Sequence, residues 1–208
     1  MGDATPVKKG RKFDQVLEGA RTVFMSDGYE GASVDAIARA AGVSKATLYS
    51  YFADKRLLFM EVAKAECSLQ MEEADAVLSD HSSPREVLCV AADRMLGFFL
   101  SSFGQSIFRM CVAESDRFPE LGREFYETGP KRFRARMAEY LRCAVAEGDL
   151  AIEDPEFAAD QFAELCKARL FHELIFGIRK SVSAEEKARV IDGAVDTFLA
   201  RYGVPGRD

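Results

Sequence analysis

Apolar residues recur at helical spacing along almost the whole chain, and no window sustains the apolar–polar alternation of a half-buried strand. That pattern restricts the fold to helices packed on helices. Phe13, Val16, Leu17, Ala20, Val23 and Phe24 form a first stripe, which Gly28 is placed to end. Ser33 is a good N-cap for a second helix through Ile37 and Ala38, closed by Gly42. Ser44 caps a short third helix from Lys45 to near Phe52, and Asp54 opens a long fourth carrying Leu57, Leu58, Val62 and Leu69. Ser83-Pro84-Arg85-Glu86 and Ser183-Ala184-Glu185-Glu186 are capping boxes, the first with Pro at the first helical position. Gly104 and Pro119 break the middle of the chain, and Pro130 opens a stripe that Gly148 closes. Asp154-Pro155 starts a helix reaching to near Ile178, and the last helix runs to Tyr202. The expected fold is all-α, with about nine helices.

Composition excludes several classes. Sixteen Phe in 208 residues support a packed interior, which argues against disorder. The five cysteines are scattered and form no C-x-x-C, so they read as reduced thiols of a cytoplasmic protein rather than a disulfide framework. The uncharged stretch Met95–Phe108 is too short to span a bilayer, which needs about 20 apolar residues. The basic N-terminus lacks the apolar core of a signal peptide. No membrane partner is expected. The net charge of −6 divides unevenly, +2 over residues 1–60 and −8 over the rest. A polyanion responds to local potential, so the acidic average does not exclude nucleic acid.

The stretch SVDAIARAAGVSKATLYSYFADK, Ser33–Lys55, is two short helices joined by a tight turn at Gly42, with Val43 packing the bend. The second of them puts Leu48 and Phe52 on one side and Lys45, Thr47, Tyr49, Ser50 and Tyr51 on and around the other. A helix of that width enters the DNA major groove with its N-terminal residues foremost. Ser44 at that N-terminus, and Lys55 at the start of the next helix, are placed to meet phosphates.

Residues 13–59, with GYEGASV, AGVSKATLYSYF and the acid–Lys pair that follows, resemble the DNA-binding domain of the TetR family of bacterial transcriptional regulators. The resemblance implies a basic arm (1–12), a helix-turn-helix domain (13–55) and a helical effector-binding and dimerisation domain (56–208). It implies that Ser33, Ser44, Thr47, Tyr51 and Lys55 hold phosphates, while Lys45, Ala46, Tyr49 and Ser50 face the groove. Ala46 stands where the family most often has Gly, and Ser50 where a larger residue is common. The stretch Ile107–Pro130 and GDLAIEDPEFAADQF resemble the C-terminal domain of AefR-like members. The implied partners are a palindromic double-stranded operator, a small-molecule effector and a second copy of the chain.

Polar groups embedded in apolar stripes give the effector candidates: Phe99, Phe103, Met110, Phe125, Met137, Tyr140, Phe162, Cys166, Arg169 and His172. Many of these read equally well as ordinary core. The basic run Lys131, Arg132, Arg134 and Arg136 reads as a solvated face. Wide apolar faces on the last two helices point to a dimeric four-helix bundle through Phe171, Leu174, Ile175, Ile178, Ile191, Val195, Phe198, Leu199 and Tyr202. An enzyme is not expected. His81 and His172 have no second ligand at metal spacing, and the chain has no nucleophile elbow or phosphate loop. No cofactor or metal is implied. An effector-independent DNA-binding protein would share the first domain but have a filled second one.

Overall fold

Side-chain caps set the helix boundaries. Ser33, Ser44, Ser83, Asp154 and Ser183 each accept a backbone N–H from three residues on, and Ser83–Glu86 and Ser183–Glu186 close both halves of their capping boxes. The computed structural model describes residues 10–78 and 83–205. Lys8, Lys9 and His81 lie outside them. Among the described residues there are eleven helices and no strand.

In order they are α1 (Arg11–Gly31), α2 (Val34–Ala40), α3 (Lys45–Tyr51), α4 (Lys55–Leu78), α5 (Pro84–Leu100), α6 (Ser102–Ala113), α7 (Pro119–Thr128), α8 (Pro130–Glu147), α9 (Pro155–Cys166), α10 (Leu170–Ile175) and α11 (Ala184–Tyr202). The count exceeds the nine that the punctuation implies. Gly104 is not a break: it sits inside α6, and the chain turns at Ser101, whose hydroxyl accepts from the Gly104 N–H. A Cβ on Gly104 would lie 2.1 Å from the Phe98 carbonyl oxygen, so a close approach explains this glycine. The helix expected from Asp154 to Ile178 is two, parted at Arg169, which adopts φ 61. The Leu170 N–H donates to the Ala168 carbonyl at 2.7 Å across it.

The chain divides into two compact units, Met1–Glu66 and Cys67–Asp208, with the division inside α4. The expected boundary, between residues 55 and 56, falls at the start of α4; contacts carry its first turns with the N-terminal unit. In the first unit α1 packs on α2 and α2 on α3. Phe24, Ile37, Leu48, Leu58 and Phe59 are fully buried there. Glu66, a buried carboxylate, accepts a hydrogen bond from Arg21 and so ties α4 to α1.

In the second unit α8 packs on α9, and α11 packs on both α5 and α9. Their shared core contains Leu88, Leu96, Leu141, Phe162, Cys166, Ile191, Val195 and Phe198. Phe162 and Phe198 meet edge to face at 5.3 Å. The end of α11 is pinned to the α8–α9 loop, where the Ala151 N–H donates to the Tyr202 carbonyl at 2.7 Å. No single helix among the described residues is long and apolar enough to cross a membrane.

Candidate nucleic-acid interface and ligand cavity

The turn between α2 and α3 rests on Gly42 and the hydrogen bond that follows it. Gly42 takes φ 63, a left-handed conformation that costs glycine little. The Val43 N–H then donates to the Ala38 carbonyl at 3.1 Å and closes the bend. Leu48 is buried and anchors α3 from below, leaving Ser44, Lys45, Ala46, Tyr49 and Ser50 exposed. Tyr49, half exposed at 50%, is the largest side chain on that face. Thr47 and Tyr51 are half-buried, and the Tyr51 ring stands edge-on to Phe13 at 5.7 Å.

Several polar groups there already have internal roles. Ser33 Oγ accepts from the Ala36 N–H and Ser44 Oγ from the Thr47 N–H, both at 3.1 Å. Ser50 Oγ donates to the Thr47 carbonyl at 2.6 Å. Lys45 Nζ pairs with Asp35 at 2.7 Å. Both side chains are more than half exposed, so that pair contributes at most about 1 kcal/mol and yields readily to a phosphate. Lys55 is held more firmly. Its ammonium donates to the carbonyls of Tyr29 and Ala32 at 2.7 and 3.0 Å and lies 4.3 Å from the centre of the Tyr29 ring. Lys55, expected at a phosphate, thus also fastens the turn between α1 and α2.

The second unit contains a partly open cavity of about 390 Å³. Phe98, Phe99, Phe108, Phe125, Tyr126, Phe133 and Phe171 line it, with Met95 and Met137. Its polar wall comes from Arg94 on α5, Arg134 and Arg136 on α8, and Asp160, Glu164 and Lys167 on and just after α9. Arg134 pairs with Asp160 at 3.3 Å and Lys167 with Glu164 at 2.5 Å. The hydrogen bond to Asp160 raises the Arg134 pKa above its ordinary value. Lys167 also stands about 6 Å from the Phe99 and Phe171 rings, at 5.9 and 6.0 Å.

Of the ten effector candidates, Phe99, Phe125 and Met137 line this cavity. Phe162 and Cys166 belong to the core, and half-buried Tyr140 packs against that core. Phe103 and Met110 are buried on α6 without lining the cavity. Arg169 is exposed and pairs with Glu173 at 2.7 Å, and His172 is exposed. Conversely, the basic run is not wholly a solvated face. Lys131 and Arg132 are exposed, but Arg134 and Arg136 are half-buried in the cavity wall.

The expected bundle seam also requires correction. Ile191, Val195 and Phe198 are buried within this one chain, because α5 and α9 already cover that stripe of α11. Leu174 is buried as well, and Phe171 faces the cavity. Ile175, Leu199 and Tyr202 are half-buried, and the Tyr202 hydroxyl donates to Gln161 at 2.5 Å. Ile178 alone among the nine stays largely open, at 74%, beside Phe176 at 75%.

Comparison with known proteins supplies a family context. A model described as Bacterial regulatory proteins, tetR family, matches residues 16–62. One described as AefR-like transcriptional repressor, C-terminal domain, matches residues 86–204. Among solved structures, a TetR-family transcriptional regulator from Mesorhizobium loti is 32% identical with a TM-score of 0.80, the match covering 93% of this chain and 98% of that one. The flavonoid-responsive regulator FrrA is 35% identical with a TM-score of 0.65, the match covering 95% of this chain and 100% of FrrA. The transcriptional repressor AcnR of Corynebacterium efficiens is 36% identical over 72 residues, which span 35% of this chain and 38% of AcnR.

Proposed function

The chain belongs to the tetR family of bacterial regulatory proteins, with an AefR-like C-terminal domain, and from that premise we propose that it is a cytoplasmic, effector-responsive repressor of transcription. The observation that carries this reading is α3, a short helix whose inner side is fixed by Leu48 while Lys45, Ala46, Tyr49 and Ser50 stand in solvent. Lys45 and Tyr49 reach base edges, with Ala46 and Ser50 leaving room for the groove floor. Ser33, Ser44, Thr47 and Tyr51 meet the flanking phosphates through hydroxyls. Lys55 also holds the turn that positions α2.

Two copies of the chain present their α3 helices to half-sites of a palindrome, about 34 Å apart for a spacing of one helical turn. Phe176 and Ile178 supply exposed apolar surface for the second copy to cover. The cavity of the second unit takes a small molecule, and occupancy favours a state that binds the operator less well. A ligand-sized cavity supports this reading over an effector-independent protein, whose second domain would be filled.

Fluorescence anisotropy with the DNA upstream of the protein's own gene, against a scrambled duplex at two salt concentrations, tests the proposal. The expected result is preference for the upstream duplex that survives the higher salt. Lys45→Ala should weaken that binding about tenfold, consistent with loss of one base or phosphate contact. Equal, salt-sensitive binding to both duplexes would reduce the interaction to phosphate attraction.

A further inference from the structure

We infer that the effector is an uncharged aromatic compound of two to three rings, seated among the phenylalanines of the cavity with a hydroxyl at its open side. The inference rests on the reading that this cavity is the effector site and names the chemistry that the site selects.

Size sets the first limit. An apolar cavity of about 150 Å³ accommodates one benzene. The volume here, about 390 Å³, is therefore room for two to three rings. It lies at the small end of the roughly 300–1,000 Å³ range of ligand pockets. The lining selects shape. Phe98, Phe99, Phe171 and Phe108 form a connected series in which successive rings meet edge to face, at 5.8, 5.1 and 5.1 Å with interplanar angles of 69°, 68° and 82°. Phe98, Phe99 and Phe108 are only half-buried, which leaves ring surface for a ligand to cover. Rings already standing at steep angles offer both faces and edges to an inserted flat ring, the arrangement that aromatic quadrupoles favour. A flexible alkyl chain gains no such orientation and gives up more rotational freedom on entry.

Charge sets the third limit. The charged side chains of the wall are already engaged within the chain. Asp160 pairs with Arg134, Glu164 with Lys167 and Arg136 with Glu139, and Arg94 has a contact of its own. An ion entering this apolar space would lose its hydration, and would gain a counter-charge only by breaking a contact that already exists. An uncharged ring system meets neither cost. A hydroxyl is the polar group that the wall accommodates without such an exchange. A carboxylate held in one ion pair keeps lone pairs for a further donor. The Asp160 and Glu164 side chains, 49% and 70% exposed, offer those lone pairs at the open side of the cavity.

Calorimetric titration of the full chain at neutral pH with naphthol, naphthoate, decahydronaphthol and octanol separates these requirements. Naphthol and decahydronaphthol share a carbon skeleton and differ in flatness and aromaticity, while octanol is similarly hydrophobic but flexible. Naphthol should bind about tenfold more tightly than each of the other three. In Phe99→Leu its advantage over decahydronaphthol should shrink to within about threefold. Octanol should bind that variant as before, which reports that it remains folded. Decahydronaphthol or octanol matching naphthol would overturn the aromatic class while leaving a small-molecule effector in place. Naphthoate binding as well as naphthol would overturn the uncharged class. A naphthol advantage undiminished in Phe99→Leu would overturn its seat among the rings. If none of the four binds at millimolar concentration, the inference fails. The effector reading fails with it only if the low-mass fraction of a cell extract also leaves the operator complex intact.

Discussion

Gly19→Ala sets two physical effects against each other with opposite signs. Gly19 lies inside α1, where alanine is ordinarily favoured by about 1 kcal/mol. Helix propensity alone therefore predicts stabilisation. The structure predicts the reverse. A Cβ at this position would stand 2.5 Å from the Ala41 nitrogen and 2.6 Å from its Cα and its Cβ, distances that real Cβ atoms essentially never show. The obstructing atoms are mostly backbone, so no side chain can swing aside. Restoring ordinary contact from 3.4 Å upward requires α2 to retreat by about 0.9 Å. Overpacking of this kind costs about 1–3 kcal/mol, and a rigid backbone contact belongs at the upper end. The net expectation is a loss of about 2 kcal/mol, or a fall of about 10 °C in the melting of the N-terminal unit. Ala41 leads directly into the Gly42 turn and α3, so operator affinity should fall with it, by about tenfold. Gly193→Ala is the matched control, a glycine on α11 whose Cβ would meet nothing within 4 Å. It should gain about 0.5–1 kcal/mol. Circular dichroism melts of both variants, with anisotropy on the operator, decide the matter. A Gly19→Ala protein as stable as the natural sequence would refute the close α1–α2 contact.

Other consequences follow from burial and charge. Phe198→Ala should cost about 3–5 kcal/mol by opening the Phe162–Phe198 contact inside one chain, and the loss should not vary with protein concentration. A loss that grows on dilution, beyond the concentration dependence of the natural sequence itself, would restore Phe198 to a subunit interface. Burial raises the thiol pKa of Cys111 to about 11 and that of Cys166 to about 12, whereas Cys143 is exposed. The thiolate is the reacting form, so iodoacetamide should alkylate Cys143 in the native protein and reach Cys111 and Cys166 only after denaturation, as read by peptide mass spectrometry. Glu173 is held below the usual carboxylate range chiefly by its hydrogen bond from Arg169, and Glu186 chiefly by the Ser183 N–H. Their contribution to stability is present at neutral pH and lost as pH falls through the depressed values. Melts of the natural sequence should therefore decline in acid, and Glu186→Gln should flatten that decline.

The helices were legible because their ends carry local chemistry. Ser33, Ser44, Ser83, Asp154 and Ser183 cap where the sequence places them, and Gly42 makes the turn expected of it. Gly104 shows where that logic misleads. A glycine marks either a bend or a close approach, and only the position of Phe98 distinguishes them. The break at Arg169 carried no signal, since the residues around it (Lys167, Ala168, Leu170) are all good helix formers. Arg169, an exposed non-glycine residue, nevertheless takes positive φ there.

The cavity was harder to read because the faces of α9 do different work, and residue type does not separate them. Ala158, Phe162 and Cys166 recur at four-residue spacing and pack into the core shared with α11, so the aromatic and the thiol that looked like cavity lining are structural. Asp160, Ala163, Glu164 and Lys167 recur at similar spacing on another face and line the cavity. In sequence that face reads as solvated, being small or charged. The same confusion misplaced Arg134 and Arg136 on α8. A charged side chain can wall a cavity if a partner from the neighbouring helix balances it, and Arg134 with Asp160 is such a pair across α8 and α9. That part of the polar wall is thus an ion pair between helices, 26 residues apart in the chain, and periodicity within one helix does not register such a pairing.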